Sequence, residues 1–144
     1  MKIRPFQYPL IVGAVPNGGA ANVNVTKSAS ATIPFNSKFV WLHTLNATIQ
    51  DNAGIVSVKT VIYDSINGPI CNVPTLIENL AGATFKTFSA APRSIRPFAL
   101  PEAYVFEAGA VLTATYTIFV AAANGGSPSL ASVGLILCGY RIIN

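Results

Sequence analysis

Charge is what this chain has least of. Charged side chains make up 10% of the 144 residues, against roughly 25% in ordinary soluble domains. The acids are Asp51, Asp64, Glu78, Glu102 and Glu107 and no others. Glu102 and Glu107 are the nearest pair on a strand, and their odd spacing points them to opposite faces. Histidine occurs once, as His43, with no adjacent acid, and no G-x-S-x-G elbow is present, so a hydrolase triad would need a distant partner. Cys71 and Cys138 are too far apart in sequence for a C-x-x-C motif. With one histidine, two separated thiols and no carboxylate cluster, the chain offers no metal ligand set. Buried free thiols are the default, and a single disulfide stays open.

Long apolar runs are missing as well. No stretch reaches the roughly 18 residues that a spanning helix needs. Pro5 and Pro9 interrupt the N-terminal apolar run, which has no h-region or cleavage site, so no signal peptide is expected. The nine basic residues are scattered rather than clustered, which reads as solubilising charge and not as a nucleic-acid footprint. Arg93 and Arg96 are close enough to grip an acidic partner, although solvated loop arginines are the plainer reading. Asn17-Gly18-Gly19 and Asn124-Gly125-Gly126 open no helix after a strand, so both read as turns and not as phosphate loops.

What fills the chain is apolar alternation. Hydrophobic residues are 51% of it, enough at this length for one self-sufficient core. Ile3–Val12 is extended, and its prolines suit an edge strand or an arm laid on a neighbour. Ala21–Phe35 alternates. Lys38–Gln50 is the clearest strand, with Phe39, Trp41, His43, Leu45, Ala47 and Ile49 predicted on one face. Ile55–Ile66 follows a turn at residues 51–54, a hairpin pattern. Thr75-Leu76-Ile77-Glu78 matches a capping box for one short helical turn, and loop or strand stays equally open for a segment this short. Thr84–Phe88 is a short strand, Ala91–Pro101 an irregular crossover, and Leu100–Gly109 a strand ending in a turn.

From Glu107 to Arg141 no side chain between the two carries a charge. Two arms, Ala110–Ala123 and Leu130–Ile143, flank a turn-rich joint and read as a long β-hairpin. Val111, Thr113, Thr115, Thr117 and Phe119 form one face of the first arm, and Leu112, Ala114, Tyr116, Ile118 and Val120 the other. In the second arm, Val133, Leu135 and Leu137 oppose Ile136, Cys138, Tyr140 and Ile142. One face of each is expected in the domain core and part of the other in an interface. Glu107 and Arg141 should mark where the strands emerge into water. The whole predicts a single all-β domain over residues 1–144. It would be an antiparallel β-sandwich of jelly-roll or other Greek-key type, with eight or nine strands and an extended N-terminal arm over about residues 1–12.

Three stretches carry a family likeness. They are Phe6-Gln7-Tyr8-Pro9-Leu10 before a Gly-rich turn, Phe39-Val40-Trp41 entered from a polar turn, and Leu100–Gly109 leading through a long strand to Leu135–Ile142. Together they resemble auxiliary capsid proteins of tailed bacteriophages, the cement or decoration proteins. The resemblance implies a non-enzymatic virion protein, made in the host cytoplasm and seated on the capsid surface. Its partner would be the major capsid protein and its form a homo-oligomer, dimer or trimer, with no cofactor, no specific nucleic acid and no membrane.

The expected partner-binding residues are Ile3, Arg4, Phe6 and Tyr8 of the arm, and Arg93 and Arg96 of the crossover. On this reading, deleting Met1–Pro9 leaves a folded domain that no longer binds capsids. The alternatives are a head-fibre, collar or tail component, or a carbohydrate-binding module using Tyr63, Tyr104 and Tyr116.

Overall fold

The computed structural model describes residues 1–13, 23–50, 55–70, 74–81, 85–86, 98–121 and 130–144. Its elements run β1 (Lys2–Val12), β2 (Val23–Thr32), β3 (Ser37–Asn46), β4 (Ile49–Gln50), β5 (Ile55–Asp64), β6 (Gly68–Pro69), β7 (Thr75–Leu76), α1 (Ile77–Ala81), β8 (Phe85–Lys86), β9 (Phe98–Phe106), β10 (Val111–Ala121) and β11 (Leu130–Ile143). The capping-box segment divides: Thr75 and Leu76 form strand β7 against β5, and the helical turn begins at Ile77.

Two sheets share these strands. In the first, β11 is central, flanked by β1 on one side and by β3 on the other, with β9 beyond β3. In the second, β10 is central between β2 and β5, and β6 and β7 pair with the far edge of β5. Successive long strands therefore alternate between sheets, which is the strand order of a jelly roll. All pairings except β4 with β8 are antiparallel.

This arrangement overturns two hairpins. β3 and β5 do not pair; they lie in different sheets. Nor do β10 and β11, each of which is the middle strand of its own sheet. The reason is the absence of charge itself. A strand hydrogen-bonded on both edges and covered on one face suits the chain's two most apolar segments. Two such strands serve the core better facing each other than lying side by side.

The face assignments within β10 and β11 agree with the alternation. Leu112, Ala114, Tyr116 and Ile118 point inward and are fully buried, as are Val133, Leu135 and Leu137. Between them lie Phe39, Trp41 and Phe106, with Tyr8 and Leu10 from β1. Phe39 and Phe106 stack at 6.1 Å, and Tyr8 meets Phe39 edge-on at 4.8 Å. At the turn between β9 and β10, Gly109 takes a positive φ of 79° beneath the ring of Phe35, which a side chain there would strike.

Candidate functional site

The site begins with an irregularity in β3. Cys138 pairs with His43, but the next residue of β11, Gly139, pairs with Trp41. Leu42 is thus an extra residue, a β-bulge; the register also breaks here against β9, where residues 100–103 lie between Tyr104, the partner of Trp41, and Ala99, the partner of His43. A one-residue insertion sends every later side chain to the opposite face. Phe39 and Trp41 point into the core, but beyond the bulge it is Thr44, Asn46, Thr48 and Gln50 that are buried. His43, Leu45, Ala47 and Ile49 face outward. The expected single face from Phe39 to Ile49 is therefore wrong below Leu42, and His43 is exposed rather than packed.

Two features hold the bulge. The Trp41 indole N–H donates to the His43 carbonyl at 2.9 Å and to Thr44 Oγ1 at 3.1 Å. Opposite, Gly139 leaves room for the Val40 carbonyl, which would overlap any Cβ at that position. Further down, Asn46 Oδ1 accepts from the Thr48 amide at 3.0 Å, which turns the chain from β3 into β4.

The consequence is an outer face almost without charge. The register across β1, β11, β3 and β9 defines its rungs. They are Pro9, Ile136 and Leu45; Gln7, Cys138, His43 and Ala99; Pro5, Tyr140, Val40 and Val105; and Ile3, Ile142 and Lys38. Lys38 is the one charge on these rungs. Its ammonium lies 2.7 Å from the Glu107 carboxylate, so even that charge is neutralised, and Glu107 does mark a strand end at the surface. Ile3 is 59% exposed, Ile11 43% and Val105 39%. Below the bulge, Ile11, Leu45, Ala47, Ile49, Ser132 and Ile136 enclose an open hollow of about 480 Å³. Burial raises the Cys138 thiol above its ordinary pKa, and its Sγ lies 3.7 Å from the Ile136 carbonyl.

The outer face of the second sheet has a different chemistry. Ser28 and Thr115 share a hydrogen bond of 3.0 Å, and Ser30 and Thr113 one of 2.8 Å. Lys59 and Thr117 lie on the next rung. This face is hydroxylated where the first is hydrocarbon.

The arm residues are not gathered on one surface. β1 is an edge strand paired along its length with β11 of the same chain. Ile3 points outward. Arg4, Phe6 and Tyr8 share the other side, on which Tyr8 is buried and Arg4 exposed. Phe6 packs on Tyr8 at 4.8 Å and lies beneath the Arg141 guanidinium at 4.8 Å. Arg141 also donates to Ser37 Oγ at 2.9 Å, so it is half-buried in the sheet and not at the water boundary expected of it. Burial pushes the Tyr8 phenol up, against the pull of Arg141. Arg93, Arg96 and Cys71 lie outside the described residues.

The three tyrosines of the carbohydrate reading are also separated. Tyr116 is fully buried. The Tyr104 hydroxyl donates to Asp64 Oδ2 at 2.9 Å. Only Tyr63 of the three, 46% exposed, offers an open ring. Among the described residues, no three His, Cys, Asp or Glu side chains come together as a metal site.

No protein-family model matches the chain, and no curated protein sequence matches it. Two solved structures of infectious bursal disease virus are similar over 99% of this chain. The Gx strain gives a TM-score of 0.40 at 12% identity, and the Gt strain 0.37 at 14%. In both cases the chain spans 32% of the larger protein, and likeness at that level does not define a function.

Proposed function

We propose that this chain is a non-enzymatic structural protein of a virion, one that binds the outer capsid shell and cements neighbouring major capsid subunits. One observation carries the reading: the uncharged outer face of the sheet β1-β11-β3-β9. Apolar surface left in water forgoes about 25 cal/mol per Å², and contiguous exposed apolar surface marks an interaction site. The jelly-roll strand order supports it, because that architecture recurs in viral capsid domains, although the support is by analogy of fold. Around a symmetric shell, many modest contacts of this kind add up through avidity.

The mechanism differs in one respect from strand donation by the N-terminal arm. β1 is already paired within its own sheet. Pro5 and Pro9 lack the N–H groups that a neighbouring strand would need along the open edge. Contact through sheet faces is the better fit.

The test is quantitative mass spectrometry, with a stained gel, of purified nuclease-treated particles from the host that produces the chain. The chain should copurify at a fixed ratio to the major capsid protein and be visible as density on the shell. Its absence from intact particles overturns the reading.

A further inference from the structure

We infer that the outer face of the sheet β1-β11-β3-β9 is where two copies of this chain meet, stacked face to face about a two-fold axis. The inference rests on reading this face as protein-covered; a second copy is what covers it, and the pair then meets the capsid through its remaining surfaces.

Charge is the first argument. An isologous contact brings a patch against itself, so any net charge on the patch repels its own copy. The whole chain carries +4. Yet on the rungs of this face the only charge is Lys38, already matched by Glu107 at 2.7 Å. The opposite sheet carries Lys59 on its outer face, which is exposed.

Area is the second. Four strands about 4.8 Å apart, each contributing roughly ten residues at about 3.3 Å, present on the order of 600 Å² per copy. Two such faces bury about 1,200 Å², the lower bound for a specific protein interface.

Shape is the third. An axis lying in the interface across the strands at the Gln7, Cys138 and His43 rung exchanges the two ends of the face. Ile3 of one copy then lies over Ile11 of the other, and Tyr140 over Ile136. Ile142 lies over Gly134, a low point of β11 that Ile11 of the same chain covers, beside the hollow. The bulky end of one copy fills the low end of the next. Cys138 lies near the axis and faces Cys138 of the second copy, across sheets packed about 10 Å apart.

The experiment is sedimentation equilibrium of the full chain between about 1 and 100 μM. The wild type should run as a dimer. Ile11→Glu should raise the dissociation constant at least tenfold, leaving the far-ultraviolet dichroism unchanged, and Leu45→Lys should do the same. Thr115→Lys on the other sheet should leave the dimer intact. In a Cys71→Ser background, a short bis-maleimide should join two copies through Cys138. A chain that stays monomeric at 100 μM overturns the inference. So does a dimer indifferent to both face substitutions, or one that Thr115→Lys weakens equally. A monomer that is nonetheless found in particles overturns this pairing and leaves the virion reading standing. A dimer absent from particles does the reverse.

Discussion

The phenolic hydrogen of Tyr116 is donated to the carbonyl oxygen of Leu10, 2.5 Å away on the other sheet. The same hydroxyl oxygen accepts from the Leu135 amide at 3.0 Å. Leu10 and Leu135 are cross-strand partners in the β1–β11 ladder. A side chain from the middle strand of one sheet is therefore bonded to both strands of a seam in the other.

Replacing that hydroxyl tests the link. Tyr116→Phe keeps the ring and leaves a buried amide and carbonyl short of a partner, at a cost of about 1–3 kcal/mol. Urea unfolding should show a lower midpoint at unchanged slope. An unchanged midpoint would mean that Leu10 and Leu135 close directly on each other.

Alkaline pH should strain the same point. Burial raises the Tyr116 pKa far above the ordinary value of 10, and the Leu135 hydrogen bond only partly offsets this. A folded-state pKa raised above the unfolded one gives stability that is present below about pH 10 and is lost as pH rises further. Stability should fall more steeply above pH 10 in the wild type than in Tyr116→Phe.

Asp64 works in the opposite sense. Burial alone would raise its carboxyl, but hydrogen bonds from the Ile66 amide, Asn67 and Tyr104 outweigh burial and lower its pKa. The side-chain oxygens accept at 2.8–2.9 Å. A lowered folded-state pKa stabilises above the unfolded value of about 4 and is lost as pH falls below it. Asp64→Asn should flatten the acid limb of the stability profile below pH 4, measured by thermal melts across pH.

Glycine substitutions separate bulge from strand. Gly139→Ala drives a methyl group into the Val40 carbonyl, a backbone atom that cannot move without opening the bulge. We expect a loss of about 3 kcal/mol or more, a drop of roughly 10 °C in Tm. At Gly13 nothing lies within 4 Å of an added Cβ, so Gly13→Ala should melt within a degree or two of the wild type.

Removing the N-terminal residues should unfold the domain rather than merely disarm it. Deleting residues 1–9 strips Tyr8 from the core cluster and leaves β11 with an unpaired edge. Far-ultraviolet dichroism and limited proteolysis of the truncated chain should show a loosened or unfolded protein. A stable truncated domain would return β1 to the role of a dispensable arm.

Alternation in β10 and β11 carries the two-faced character of those strands in the sequence, because a period of two survives any choice of partner. The partner itself is not written locally. The joint at residues 124–129 is as compatible with a crossing between sheets as with a hairpin turn, so the central pair was legible as strands and not as members of different sheets. The bulge had a signal in Gly139, since glycine inside a strand marks a close backbone approach. Gly134 repeats that signal on the same strand, where a Cβ would meet the Leu10 carbonyl and Ile11 of β1. No local feature of Lys38–Gln50 says that Leu42 is the extra residue, so the hollow lined by Leu45, Ala47 and Ile49 could not be read before the fold.

Seen this way, β3 is a strand read in two frames. Above Leu42, odd-numbered positions point to the interior and even-numbered ones to the outer side of the sheet, where Val40 is itself only 4% exposed; below it, the parity inverts. A saturation scan along residues 38–50 would record the inversion as a phase jump in tolerance, with charge accepted first at one parity and then at the other, and proline rejected at both where β3 pairs with β11 on one edge and β9 on the other. It also means that deleting Leu42 alone would rewrite everything downstream, turning Leu45, Ala47 and Ile49 inward and bringing Thr44, Asn46 and Thr48 to the outside. One residue sets whether the lower half of this strand shows its neighbours oil or amide.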